Sequence, residues 1–186
     1  MTLDPDRAAL AEHLLTHAVL RGSFTLKSGR QTTWFVDGKQ SACRPDGILL
    51  IAEVALQVIG PDVDAIGGLT MGADPVAFGV AAVAATRGRE LRSFSIRTQA
   101  KDHGVEGRLA GALRPGDRVA VTEDVSTRGT SIMEAVGVVR ALGAHPVMAV
   151  PVLDRGGTGG ELAAADGVEW RPLLTAPDLG LEFEGL

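Results

Sequence analysis

The sequence predicts an α/β protein with a mainly parallel central sheet flanked by helices and a small N-terminal hood. Three observations carry this. From Pro45 onward, short apolar runs rich in β-branched residues alternate with segments of helical period. The joins between them are short, as stacked βαβ units require. The first 40 residues break that rhythm, with one helical segment followed by two strand-like runs. A chain of 186 residues is long enough for one domain with a sizeable core. Residues 1–186 therefore read as a single domain, with the hood at about 1–40.

In order, Asp4-Pro5 starts a helix across 6–20. Residues 23–27 and 33–37 are strand-like around the turn Ser28-Gly29-Arg30. A helix is expected over 45–59 and a strand over 63–67. The alanine-rich segment 75–86 is apolar nearly all round and is expected to be well buried. Strands follow at 92–97 and 118–122. A helix then runs from about Ser131 to Leu142 and ends at Gly143. A strand at 146–153, a short helix at 161–165 and a strand at 168–174 complete the chain. Residues 98–112 are polar and aperiodic and read as a mobile loop between two strands. In open α/β sheets ligands bind outside the carboxyl ends of the strands. The strand ends at Gly67, Arg97, Asp124 and Asp154 should therefore converge on one site.

Composition removes several function classes. The net charge of −5 gives no general attraction to nucleic acid or to anionic membrane. Five Phe, two Trp and no Tyr are too few for a base-stacking sheet. Cys43 is the only cysteine, which excludes an intramolecular disulfide and a cysteine zinc cage. No apolar run reaches the roughly 20 residues of a membrane helix. The N-terminus lacks a charged segment followed by an apolar one, so the cytoplasm is the expected location.

The most informative run is 119–131, VAVTEDVSTRGTS. It reads as a buried strand that delivers Glu123 and Asp124 to a loop rich in hydroxyls and glycine, followed by a helix. Backbone N–H groups at a helix N-terminus form a receptor for phosphate. Ionised carboxylates accept hydrogen bonds only, so the two acids suit sugar hydroxyls. Together they suggest a sugar phosphate, with Glu123 and Asp124 on the ribose and Ser126, Thr127, Arg128, Gly129, Thr130 and Ser131 on its phosphate. A capped helix without a ligand would use similar residues.

Four further segments add to this. Arg97, Lys101 and His103 lie within seven residues, a set that suits a polyphosphate leaving group. Leu26-Lys27-Ser28-Gly29 precedes Trp34-Phe35, beside which a planar ring would bury apolar area. Val152-Leu153-Asp154-Arg155 ends a strand in a guanidinium that matches a carboxylate as a fork. Gly67-Gly68-Leu69-Thr70-Met71-Gly72 turns from a strand into a helix at Asp74-Pro75.

The run 119–131 resembles the phosphoribosyl diphosphate (PRPP) signature of the type I phosphoribosyltransferases. Lys101-Asp102-His103-Gly104, Lys27-Ser28-Gly29 with Trp34-Phe35, and Asp154-Arg155 resemble segments of the orotate phosphoribosyltransferase family, in the same order along nearly the whole chain. The resemblance implies transfer of phosphoribosyl from PRPP to orotate, giving orotidine 5′-monophosphate and pyrophosphate in pyrimidine synthesis. It implies Lys101, His103, Arg97 and Asp124 in catalysis. It places Lys27, Trp34, Phe35, Thr127 and Arg155 at the orotate. It implies Mg²⁺ held mainly by PRPP and water, and a homodimer whose Lys101 loop serves the neighbouring site. Three positions depart from the family pattern. Thr98 and Met71 stand where lysines are common, and Arg128 stands in place of a small or hydroxyl residue. The alternatives are transfer to another nucleobase, a non-catalytic PRPP-binding regulator on the same fold, and an inactive relative.

Overall fold

The computed structural model describes residues 3–25, 29, 31–101 and 107–184. Helix α1 (Pro5–His17) is capped by Asp4, whose carboxylate accepts from the Arg7 N–H. Strands β1 (Val19–Thr25) and β2 (Gln31–Val36) pair antiparallel as a separate two-stranded sheet. A one-turn helix α2 (Lys39–Ala42) leads to α3 (Pro45–Val58), β3 (Ala65–Leu69) and α4 (Asp74–Thr86). Then come β4 (Arg92–Lys101), β5 (Gly107–Gly111), β6 (Arg118–Ser126), α5 (Thr130–Ala141), β7 (His145–Asp154), α6 (Gly159–Ala165), β8 (Glu169–Trp170) and β9 (Leu174–Thr175). A 3-10 turn at Ala176–Leu179 follows.

The main sheet has the order β5-β4-β3-β6-β7-β8, with β9 also on β7; only β5 runs antiparallel. The period of two along each strand sorts residues to two cores. Ile66 and Ala120 pack on one face with Leu10 and Leu14 of α1, Ile51 of α3 and Val80 of α4. Ala65, Val119 and Val121 pack on the other with Ile132, Val136 and Val139 of α5. The parallel strands β3, β4, β6 and β7 place their carboxyl ends along one edge, as the alternation predicts.

Three expectations need correction. Residues 98–101 and 107–111 continue as a β4–β5 hairpin where a loop was expected. Strand β4 continues past Arg97 with an irregularity in its pairing, Ile96 lying opposite Leu109 and Lys101 opposite Gly107. The expected strand 168–174 is two short strands, β8 and β9, because Pro172 interrupts the ladder. Helix α4 is buried along one stripe only, since Phe78 is half-exposed. In the N-terminal region the β1–β2 hairpin is its own sheet, while α1, Trp34 and Val36 belong to the same core as α3.

Candidate active site

Strand β6 is apolar through Val121, so it is drawn into the sheet and presents its polar end at the carboxyl edge. Glu123 and Asp124 leave that edge side by side. Asp124 is buried, and the Lys39 ammonium donates to its Oδ2 at 3.0 Å while lying 3.3 Å from Asp37 Oδ1. Burial lowers the Lys39 pKa, but the bond and charge of Asp124, then those of Asp37, outweigh it and hold the ammonium above its ordinary value. Two glycines let the backbone close on Asp124. A Cβ on Gly72 would lie 2.6 Å from Asp124 Oδ1, and one on Gly38 would lie 2.9 Å from Oδ2. The Thr70–Met71 peptide beside Gly72 is cis.

Among the described residues no cation pairs directly with Glu123, although the Lys39 charge reaches it. Burial pushes its pKa up to about 7, with the Asp124 charge adding to the rise and the Ser131 and Ser126 hydroxyls opposing it. Of the two adjacent acids, Asp124 is thus paired with a cation and Glu123 is poised to titrate near neutral pH.

After Ser126 the chain turns through half-buried Thr127 and exposed Arg128 to Gly129, whose φ of 77° is left-handed. Gly129 is the cap of α5 and has no side chain to satisfy the first N–H groups. Exposed Thr130 and half-buried Ser131 occupy the first turn. The first N–H groups of a helix have no partner within the helix, and with the helix dipole they suit such a terminus to an anion.

The β7 end lies next to it, with the Arg155 N–H donating to the Ser126 carbonyl at 2.8 Å. Arg155 is buried. Its guanidinium carbon lies 4.8 Å from the Trp34 ring centroid and 5.8 Å from that of Phe35, and Nη2 donates to the Trp34 carbonyl at 3.2 Å. Trp34 is core, whereas Phe35 is half-exposed, as alternation along β2 dictates. Phe35 is the ring that a planar ligand could reach.

Of the residues singled out in the sequence, the structure places Glu123, Asp124 and Ser126 at the end of β6, Thr127, Arg128 and Gly129 on the turn after it and Thr130 and Ser131 at the start of α5, and it brings Arg155 against Ser126, with Trp34 and Phe35 around the Arg155 guanidinium. Arg97 stands apart on β4, across β3 from β6, with Nη1 donating to the Leu109 carbonyl at 3.2 Å. Lys101 ends β4, and its side chain lies outside the described residues, as do Lys27 and His103. Thr98, Met71 and Arg128 are all exposed. Sequence reasoning missed Lys39 and the C-terminal Glu184. Asp37-Gly38-Lys39 carried the signal for the first, an acid–glycine–lysine step directly after the aromatic pair.

No protein-family model matches the chain. A curated relative, the orotate phosphoribosyltransferase of Streptomyces avermitilis, is 39% identical over 182 residues, covering 97% of this chain and 100% of the relative. The chain belongs to the orotate phosphoribosyltransferase family. Solved structures agree. The Mycobacterium tuberculosis orotate phosphoribosyltransferase in complex with Fe(III) dicitrate superposes with a TM-score of 0.84 at 37% identity, covering 95% of this chain and all of that one. The same enzyme in complex with PRPP gives 0.79 at 35% identity, with the same coverage. The fold of this family, a mostly parallel sheet between helices, is the one described above. Among the described residues no helix is long and apolar enough to cross a membrane.

Proposed function

We propose that this chain transfers the phosphoribosyl group of PRPP to orotate, forming the N1–C1′ bond and releasing pyrophosphate. The observation that carries the reading is the joint at Ser126–Arg155. There the strand end that carries the charge-paired Asp124 and leads into the α5 N-terminus is joined by the backbone of Arg155, whose buried guanidinium lies among aromatic rings. The first half suits a ribose phosphate. The second suits a flat ring bearing a carboxylate.

Cleavage of the C1′–O bond builds positive charge on the ribose ring. Asp124, held by Lys39, would accept from a ribose hydroxyl and favour that charge. Glu123 would do the same when ionised, so its state near neutrality bears on the rate. The α5 N-terminus, with Thr127, Thr130 and Ser131, would hold the 5-phosphate. Arg155 would orient the acceptor by its carboxylate, so that N1 faces C1′. N1 of orotate is acidic and needs no strong protein base. Arg97, Lys101 and His103 are proposed to meet the leaving pyrophosphate.

The residues fit Mg²⁺ brought in by the substrate. The donor set at the β6 end is two adjacent carboxylates, one of them already taken by Lys39. The group of three metal-ligating side chains among the described residues, His13, His17 and Asp46, belongs to the α1–α3 contact instead. At the β6 end Glu123 and Asp124 would hold the waters of substrate-borne Mg²⁺, which would neutralise diphosphate charge. We further propose a homodimer in which the β4–β5 hairpin tip serves the partner's site, as in the family pattern.

The test is loss of orotate absorbance on mixing protein, orotate, PRPP and Mg²⁺, with Asp124→Asn as control. Magnesium-dependent loss that falls at least about 100-fold in the variant supports the reading. No loss with orotate, but turnover of another nucleobase, overturns the choice of acceptor.

A further inference from the structure

Arg155 is read above as the fork for the acceptor's carboxylate, and the present inference rests on that reading. The fork already holds a carboxylate. Arg155 Nη2 donates to Glu184 Oε2 at 2.5 Å, and the Thr32 hydroxyl donates to the other oxygen, Oε1. The Glu184 N–H donates to the Arg155 carbonyl at 2.9 Å. One residue earlier, Phe183 covers Gly157, where a Cβ would come within 2.9 Å of the ring. The side chains of Arg155 and Glu184 are only 6% and 13% exposed. This is a buried ion pair between a strand end and the C-terminal tail.

The occupant fills the seat incompletely. A guanidinium grips a carboxylate best through two parallel N–H groups. Among the described residues Arg155 Nε is buried without a hydrogen-bond partner, so Glu184 engages Nη2 alone. The tail that carries Glu184 has no helix or strand: residues 181–184 are irregular, and Phe183 is 46% exposed.

We propose that Glu184 is a specificity-determining residue, an intramolecular occupant of the acceptor's carboxylate seat that must leave before the acceptor binds. An acceptor carboxylate that takes Nη2 and Nε together satisfies the donor that Glu184 leaves unpaired, so it can displace the tail. A neutral ring offers nothing in exchange for the broken ion pair and is rejected. Between turnovers Glu184 spares Arg155 from standing buried and uncompensated. The apparent affinity for the acceptor is reduced by the fraction of molecules whose seat is open.

The experiment uses the full chain, Glu184→Gln, Glu184→Ala and a chain ended after Leu181, with steady-state kinetics in both substrates and calorimetric titration of orotate. The expected result in the shortened chain and in Glu184→Ala is an orotate KM and Kd about threefold to tenfold lower, with kcat and the KM for PRPP within about twofold of the parent. Glu184→Gln keeps the amide contacts and should fall between. An orotate KM unchanged or raised in the shortened chain overturns the proposal and makes Glu184 a structural counter-ion of Arg155. Failure of the underlying reading looks different: the parent protein itself would neither bind nor turn over orotate, and the proposal would fall with it.

Discussion

Glu123 and Asp124 show how one residue step separates two chemical fates. Asp124 has Lys39, 85 residues away in sequence, at hydrogen-bond distance; for Glu123 burial outweighs the more distant charge of the same lysine. A carboxyl whose folded pKa is about 7 against an ordinary 4.5 stabilises the fold most when protonated. As pH rises between those values the unfolded chain releases its proton first, so stability falls, and above about 7 the loss is complete. The ceiling is about 3 kcal/mol. Glu123→Gln should therefore be more stable than the parent at pH 8, by roughly 1–3 kcal/mol, and no more stable at pH 4.5. Urea melts at the two pH values check this, and equal gains at both would refute it. The parent's kcat/KM for PRPP should rise with pH through about 7, and that inflection should vanish in the Gln variant. Lys39→Met leaves Asp124 buried without its cation. It should cost about 1–3 kcal/mol, discounted because the ammonium is partly exposed, and lower kcat/KM at least about tenfold. Adding Asp124→Asn should recover most of the stability but none of the activity, and independent losses would show that the pair is not coupled. Neither Lys39 nor Glu184 was legible as a site residue. A charged side chain next to glycine, or in a tail, looks solvated until the fold supplies its distant partner.

At the level of elements, the phosphate loop depends on a backbone shape as much as on its hydroxyls. Gly129 has a left-handed φ, and a Cβ there would meet the Gly159 backbone at 3.0 Å. Gly129→Ala should thus cost about 1–3 kcal/mol and raise the KM for PRPP several-fold, with a smaller effect on the KM for orotate. A variant with wild-type PRPP affinity would remove this loop from the phosphate site. The loop was legible because strand, acids, hydroxyls and helix start follow one another within 13 residues. The β4–β5 hairpin was not. Gly-Arg-Leu-Ala-Gly has neither alternation nor β-branched residues, and it forms a strand only because the edge of β4 is free to pair. Helix α2 is a single turn, too short to carry a period. Arg108 ties the hairpin down, with Nε on the Arg97 carbonyl at 2.6 Å and Nη2 on Glu134 of α5.

Across the whole molecule, the alternation from Pro45 onward sufficed to read a parallel sheet. Its topology then brought residues from β2, α2, β6, α5 and β7 to one edge, which no local pattern contains. The cations Arg97 and Lys101 fall on the opposite side of β3 from that edge's acids, at the far border of the sheet. A hairpin at a sheet border is well placed to reach a second copy of the chain. The shared-site proposal can be tested with two dead variants. Lys101→Ala spoils the loop but leaves its own ribose site intact; Asp124→Asn does the reverse. Let the two be unfolded together and refolded, so that subunits assort at random. About half of the dimers are then hybrid, each with one site built from the sound halves. Activity should return to about a quarter of the parent value, while each variant refolded alone stays inactive. If the loop serves its own subunit, every site in the mixture carries a defect and nothing returns. A sedimentation measurement on the mixture distinguishes that outcome from a chain that remains monomeric, for which the shared site would be refuted outright.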